Sequence, residues 1–458
     1  MEPWFHSVSL ISEKCKGCTN CIKRCPTEAI RVHDGKAAII LERCIDCGEC
    51  IRICENHAKK AVGDSLASIF NFRYRIALPA PSLLAQFPKE ISCAQILGSL
   101  LQIGFHKVAE VGCGADFTTI AIQEYLKTAA HHVQPLISSS CPAVTRLIQV
   151  RFPGLIGNLI PIDAPMVTIA KLARAEAMRE TGLKHPQIGI FFITPCPAKI
   201  TAIKGKNCVK EGIIDGAIPI SHIFGEMQHA VFSGDVPLQE PQLSNTGAGW
   251  ARSGGEALAV GHENHLAVSG IDNVVTVLEA IEMDKLTDVA YVDALACVGG
   301  CIGGALTVEN PFVARMKIQK LAKGDYLTAI PPDRVKKARR LYYQHYFDWD
   351  CQLSPQPILQ LDADVNQAIQ KIEMIERTLN SLPGLDCGSC GSPNCRALAE
   401  DIAMGKAQIF DCIFKLREEL SRLAQELLQL SEKLPPVIAP QIGALAPGGS
   451  TSGRTGGK

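Results

Sequence analysis

Hydrophobic and polar positions alternate along this chain in two rhythms. From about Phe72 to Ser354, short apolar runs read as strands: Arg75–Pro79, Lys107–Val111, Ile188–Thr194 and Val289–Asp293. Between them lie longer stretches with helical periodicity, such as Thr118–Ala129 and Val167–Thr181. Strand-like runs alternating with amphipathic helices predict βαβ units around mainly parallel sheets. Nearer the N-terminus, Ala29–His33 and Lys36–Ile40 flank Asp34-Gly35, a hairpin signal. After Pro355 the pattern changes. Val365, Ile369, Ile372, Ile375 and Leu379 fall at helical spacing and stop at Pro383-Gly384. Leu416, Leu420, Leu423, Leu427, Leu430 and Leu434 step by four and three, an a/d seam that suits a second copy or a partner helix as well as packing on its own domain. Pro435-Pro436 ends that helix, and Pro440–Lys458, rich in Gly, Pro and Ser, is expected to be disordered.

Composition narrows the function. The 458 residues are enough for two to four domains, and 46 basic against 46 acidic residues give no reason to expect nucleic acid or an acidic membrane surface. No apolar run reaches the ~20 residues of a spanning helix, and no signal peptide is evident, so a cytoplasmic protein without membrane insertion is expected. The informative number is 20 cysteines, most of them in compact groups, which in a reducing compartment means metal ligation.

Cys15, Cys18, Cys21 and Cys25 form a C-x2-C-x2-C-x3-C-P run, repeated as Cys44, Cys47, Cys50 and Cys54. Three closely spaced cysteines can hold three corners of a [4Fe–4S] cube while the fourth reaches the other cube. That assigns Cys15, Cys18, Cys21 and Cys54 to one cluster and Cys44, Cys47, Cys50 and Cys25 to a second. Zinc is the alternative, disfavoured by the duplicated spacing. Cys387, Cys390, Cys395 and Cys412 make a further set, in C-x2-C-x4-C-x16-C spacing that fits zinc or a cube. In the central region, three turns at strand ends carry cysteines: Ser138-Ser139-Ser140-Cys141-Pro142, Thr194-Pro195-Cys196-Pro197 and Ala296-Cys297-Val298-Gly299-Gly300-Cys301. Open α/β sheets place their ligands in such turns. Cys93, Cys113, Cys208 and Cys351 lack partners at ligand spacing and are expected to be small buried residues. Gly112-Cys113-Gly114 does not complete a dinucleotide fingerprint, and His57, His131 and His132 are expected to be structural or exposed.

Residues 8–60 resemble a bacterial two-cluster ferredoxin. The Cys387–Cys412 run resembles a small [4Fe–4S] domain of anaerobic redox proteins. The three central turns, in this order, resemble the signature segments of the [FeFe]-hydrogenase catalytic domain over about residues 72–350. The resemblance implies an α/β multi-domain protein: a ferredoxin-like α+β module at 1–66, a two-lobed hydrogenase domain at 67–356, a helical cluster module at 357–415, a leucine-seam helix at 416–435 and a tail at 436–458. It implies that Cys141, Cys196, Cys297 and Cys301 hold a cube, and that Cys301 bridges to a diiron unit with carbonyl, cyanide and dithiolate ligands. Lys199 would face a cyanide. Ala80, Pro81 and Ser82 would pack around the other, and Ala164-Pro165-Met166 would start a helix lining the pocket.

The same resemblance exposes departures. Active members carry a second cysteine, as proton relay, where this chain has Ser140; a further relay glutamate falls on Ala202. Methionines that flank the diiron site read Thr194 and Leu295, while Asp293 retains an acid. A serine hydroxyl is a poorer relay than a thiol near pKa 8.5. The chain is therefore expected to be a ferredoxin-type hydrogenase of sensory kind, slow with H2 and protons, reporting to a signalling kinase or phosphatase and loaded by diiron maturation enzymes. An ordinary catalytic subunit exchanging electrons with ferredoxin is the alternative. A relative in iron–sulfur assembly without a diiron unit ranks last.

Overall fold

The computed structural model describes residues 5–128, 134–205, 209–234, 236–324, 327–356, 361–362 and 364–433. His131, His132, Cys208, Leu434 and the tail after it lie outside the described residues. The chain divides into two compact units, one ending at Gln360 and the other beginning at Leu361.

Two parallel sheets build the first unit around the site. One has four strands in the order Lys107–Val108, Tyr74–Pro79, Ile188–Thr194, Gly216–Pro219. Every residue of Ile188–Thr194 is buried, because helices cover both faces of the sheet and leave no polar side. The second sheet has His265–Ser269, Tyr291–Leu295 and Leu136–Ile137, again parallel. Each sheet has its own core: Ile76, Leu78, Phe191, Phe192 and Met227 in one lobe, and Ile137, Val144, Leu147, Leu278 and Val292 in the other. Pro165–Thr181 opens on a proline at its first turn and closes on Gly182 with φ 67°. The strand expected over Lys107–Val111 is shorter. Only Lys107–Val108 pairs, and the Glu110 carbonyl takes the Cys113 N–H at 2.9 Å, turning the chain into the helix Val111–Thr128.

The N-terminal segment repeats one device twice. Each cysteine run leads into a single helical turn, Asn20–Lys23 or Glu49–Arg52. Its last cysteine accepts a backbone N–H four residues on, Ala29 to Cys25 Sγ and Ala58 to Cys54 Sγ, both at 3.2 Å. The hairpin forms as the Asp34-Gly35 signal predicts, Ile30–His33 pairing with Lys36–Ile39. This segment belongs to the same compact unit as both sheets.

In the second unit, Val365–Ser381 starts on an Asp364 cap and packs against Cys395–Ala403. Of its apolar stripe only Ile375 is buried; Val365, Ile369 and Ile372 are exposed. The last helix, Ile413–Glu432, buries no residue, so its leucines do not pack on their own domain. Among the described residues no helix is long and apolar enough to cross a membrane.

Candidate functional site

Four loops at the C-terminal ends of strands converge. Pro79 leads to Ala80-Pro81-Ser82, Ile137 to Ser138–Cys141, Thr194 to Cys196, and Leu295 to Cys297 and Cys301. A parallel sheet points all its strand ends one way, so ligands from distant stretches of sequence meet on one side. The third loop is pinned by Gly300, whose φ of 95° and tight seat leave no room for a side chain: a Cβ would lie 2.6 Å from the Ser253 nitrogen. Ser253 N–H donates to Gly299 at 2.8 Å and Ile302 N–H to Ala251 at 3.2 Å.

The structure brings Cys141, Cys196, Cys297 and Cys301 close enough for their charges to act on one another. Burial pushes the Cys141 thiol up, with Cys301 adding to it; burial raises Cys196 to about 12, with the charge of Cys141 next. Burial also holds Cys297 well above the ordinary thiol range. Thiols this resistant to ionising alone become ligands when a metal displaces their protons. Lys199 faces the same four sulfurs. Burial alone would lower it, but Cys301, Cys196, Cys141 and Cys297 together raise it. Its ammonium also sits 5.8 Å from the Phe192 ring centre.

A cavity opens beside Cys301, walled by Ala80, Pro81, Ser82, Ser140, Lys199 and Leu295. Pro165 reaches it as well, whereas Ala164 and Met166 line a neighbouring cavity together with Ala202. Thr194 does not line it. Its hydroxyl takes the Cys196 N–H at 3.1 Å and so shapes the loop. Sequence reasoning missed Val111, Ala115, Phe192, Pro195, Trp250, Ala251 and Glu256 on the wall. Glu256 had a signal, as the lone acid in the small, apolar run Gly254–Val260. It is 1% exposed, and its Oε1 accepts hydrogen bonds from Tyr291 at 2.6 Å, Ser138 at 2.7 Å and Ser140 at 3.4 Å. Asp293, fully buried, takes the Ala257 N–H at 3.3 Å.

The wall offers donors to an anionic group beside Cys301. The Ser82 hydroxyl is buried with no partner among the described residues, a donor left for a ligand. Lys199 forms no ion pair with a carboxylate among the described residues, and apart from Ser82, Ser140 and Glu256 the rest of the wall is mainly apolar.

The two N-terminal cysteine sets are also assembled. Cys15, Cys18, Cys21 and Cys54 surround one pocket, and Cys25, Cys44, Cys47 and Cys50 another, the crossed arrangement that the spacing predicts. The second set abuts the main site. A Cβ on Gly48 would lie 2.7 Å from Ala305 Cβ and 2.8 Å from Pro197 Cγ, and Arg52 donates to the Gly303 carbonyl. In the second unit, Cys390, Cys395 and Cys412 share one apolar cluster; burial raises Cys390, and the charges of Cys387 and Cys412 add to it. Among the remaining cysteines, Cys93 is half-buried, Cys113 is buried, and Cys351 is disulfide-bonded rather than a lone buried thiol.

Fold and site together define an α/β iron–sulfur protein, with a four-cysteine centre between two parallel-sheet lobes and ferredoxin-type cysteine sets beside it. Residues 73–262 match the family model "Iron only hydrogenase large subunit, C-terminal domain", residues 7–55 a "4Fe-4S dicluster domain" and residues 382–414 a "Putative Fe-S cluster". Over residues 73–262 the chain is similar to iron-only hydrogenases. A solved [FeFe]-hydrogenase HydA1 from Chlamydomonas reinhardtii, a glutamate variant, aligns with a TM-score of 0.51 at 13% identity over 64% of this chain and 98% of that one, a likeness of fold. A structure described by oxygen inactivation of the H cluster aligns at 0.48, with 12% identity over 62% and 95% of the two chains. One of HydA(deltaEFG), described by stepwise H-cluster assembly, aligns at 0.47, with 14% identity over 61% and 93%. No curated protein matches the sequence.

Proposed function

We propose that this chain reacts with H2 at the Cys141, Cys196, Cys297 and Cys301 centre and does so slowly, as a hydrogen-responsive sensor. The observation that carries this reading is the convergence of those four cysteines on Lys199, beside a cavity whose only unpartnered hydroxyl is Ser82 among the described residues. Cys141, Cys196, Cys297 and Cys301 would hold a cube, and Cys301 would tether a diiron unit with carbonyl, cyanide and dithiolate ligands. That unit supplies the redox metal for H2 chemistry. Lys199 and the Ser82 hydroxyl would each donate to an anionic ligand, a charge-assisted contact worth about 1.5–3 kcal/mol. Ala80, Pro81 and Leu295 would keep water from the centre.

Electrons have a built route. The Cys44 set presses on the Cys196 and Cys301 loops through Gly48 and Arg52, and the Cys15 set ends at exposed Cys18. These two sets and the Cys387–Cys412 set would hold three accessory [4Fe–4S] clusters. The sensory reading draws support from Ser140 and Ala202 in the relay positions. The exposed seam Leu416–Leu430 adds to it, as a surface suited to a homodimer or to a kinase or phosphatase partner. The second reading, a subunit serving ferredoxin, draws on exposed Cys18, which gives a carrier an open edge of the outer cluster. Diiron maturation enzymes would load either form.

Infrared spectroscopy of protein co-produced with the diiron maturation enzymes tests the proposal. Carbonyl and cyanide bands are expected; their absence from protein with all four cubes refutes both readings.

A further inference from the structure

We propose that Lys59 sets the direction of electron flow between the two N-terminal clusters, making the outer, Cys15 set more easily reduced than the inner, Cys44 set. This rests on the reading of both sets as [4Fe–4S] sites. Lys59 opens the strand Lys59–Ala61, which pairs antiparallel with Val8–Leu10. The strand's alternation turns Lys59 and Ala61 inward and Lys60 outward. Lys59 is 5% exposed and lines the pocket of the outer set. Its ammonium is buried without a hydrogen-bond partner among the described residues. A buried cation is costly unless an anion faces it. A cube held by four thiolates supplies that anion, because the thiolates outweigh its positive charge.

The duplicated segment supplies its own comparison. Ala29 and Ala58 make the same N–H contact to the last cysteine of each run, at 3.2 Å. One residue further on, the first repeat has Ile30 and the second has Lys59, both buried. Ile30 lines the inner pocket and Lys59 the outer one. The repeat therefore sets an apolar side chain against one cluster and a cation against the other. Lys36 adds to the difference, donating to the Ser12 and Cys15 carbonyls at 2.9 Å each. At the inner set the charges offset one another. Asp46 takes the Val8 N–H at 3.0 Å and lies within reach of both Arg146 and Cys44.

Burial raises the Cys21 thiol, and the charge of Lys59 is the next influence, pulling it back. Burial opposes ionisation of Cys15 too, yet the N–H groups of Gly17 and Ala37, and then Lys59, bring it below the ordinary thiol range. In the inner set, burial pushes Cys50 up to about 12, with Lys59 acting against it. Lys59 thus reaches Cys15 and Cys21 of the outer set and Cys50 of the inner, and its effect is larger outside. A cation favours the more negative, reduced state of a nearby cluster and raises its reduction potential. Lys59 thereby draws each electron outward: the inner cluster is oxidised by one electron as the outer is reduced by one. A one-electron carrier then collects it at exposed Cys18.

The test is a redox titration, followed by electron paramagnetic resonance, of the full chain with its cubes and without the diiron unit. The outer cluster is identified as the signal that Cys18→Ser alters. In the parent protein it should be reduced before the inner cluster, and the reverse order overturns the proposal without any Lys59 variant. Lys59→Ile matches the residue at the equivalent position, Ile30, and Lys59→Met serves where that variant does not fold. Either should lower the reduced-to-oxidised ratio of the outer cluster at fixed potential by at least tenfold, a downward shift of about 59 mV for one electron. The inner cluster should move less, the Cys387–Cys412 cluster should stay, and Lys59→Arg should keep the parent values. No shift, or an equal shift in every cluster, overturns the proposal. Zinc in place of iron at these cysteines overturns the cluster reading and the proposal with it. Missing carbonyl and cyanide bands after maturation overturn the H2 reading alone.

Discussion

Substituting Gly48 measures how tightly the second N-terminal cluster loop is pressed against the site. Gly48 has φ 79°, where a Cβ costs about 1–2 kcal/mol. An alanine Cβ would also meet Ala305 Cβ at 2.7 Å and Pro197 Cγ at 2.8 Å, more than 1 Å inside ordinary contact, an overpacking that costs about 1–3 kcal/mol. Gly48→Ala should therefore destabilise the protein by about 2–5 kcal/mol. Gly35→Ala is the control. Its φ is 70° but no atom lies within 4 Å, so only the backbone cost of about 1–2 kcal/mol applies. The difference between the two, read from chemical unfolding followed by cluster absorbance, isolates the contact with the site. Rapid-mixing reduction of the clusters should also slow in Gly48→Ala, because the displaced loop carries Cys47 and Cys50. If the two variants lose equal stability and reduce equally fast, the loop is not clamped between Pro197 and Ala305 and the electron route drawn from it fails.

Ser140→Cys should raise H2 turnover of matured protein by up to about 10²–10⁴-fold, since a thiol exchanges protons near neutral pH; unchanged turnover places the proton supply elsewhere. Burial raises Glu110 from its ordinary 4.5 to about 7, so the folded state holds a proton the unfolded chain has lost. Stability should fall by about 3 kcal/mol between those pH values, and Glu110→Gln should flatten the fall; an unaltered profile contradicts the assignment. Leu420 and Leu427 are 58% and 67% exposed, so sedimentation should show a dimer that Leu420→Glu with Leu427→Glu converts to monomer; a monomeric parent protein rules the seam out as a self-association surface.

The cysteine groups were legible because ligand spacing is local. Two or three residues between cysteines set whether sulfurs can share a cube, and spacing is written in the sequence whatever the fold does with it. The alternating runs likewise gave parallel α/β sheets, since burial on both faces demands continuous apolar strands. Local reading failed where the deciding neighbour was distant. Lys107–Val111 has a strand composition, but Val111 is drawn into a helix that packs against Pro165–Thr181. Thr194 sits where a cavity residue was expected, yet its hydroxyl bonds back to Cys196.

By itself, the sequence determined sixteen candidate ligand cysteines in their groups, the hairpin between the first two runs, and a serine at position 140. Only the tertiary structure decided what that serine touches. Glu256 lies 116 residues from Ser140 in the chain, and Tyr291 lies 35 beyond Glu256. No periodicity links such positions, because hydrogen bonding between them depends on strand ends meeting across two lobes. The same holds for Gly48 against Pro197 and Ala305, where a missing Cβ has meaning only once its neighbours are in place.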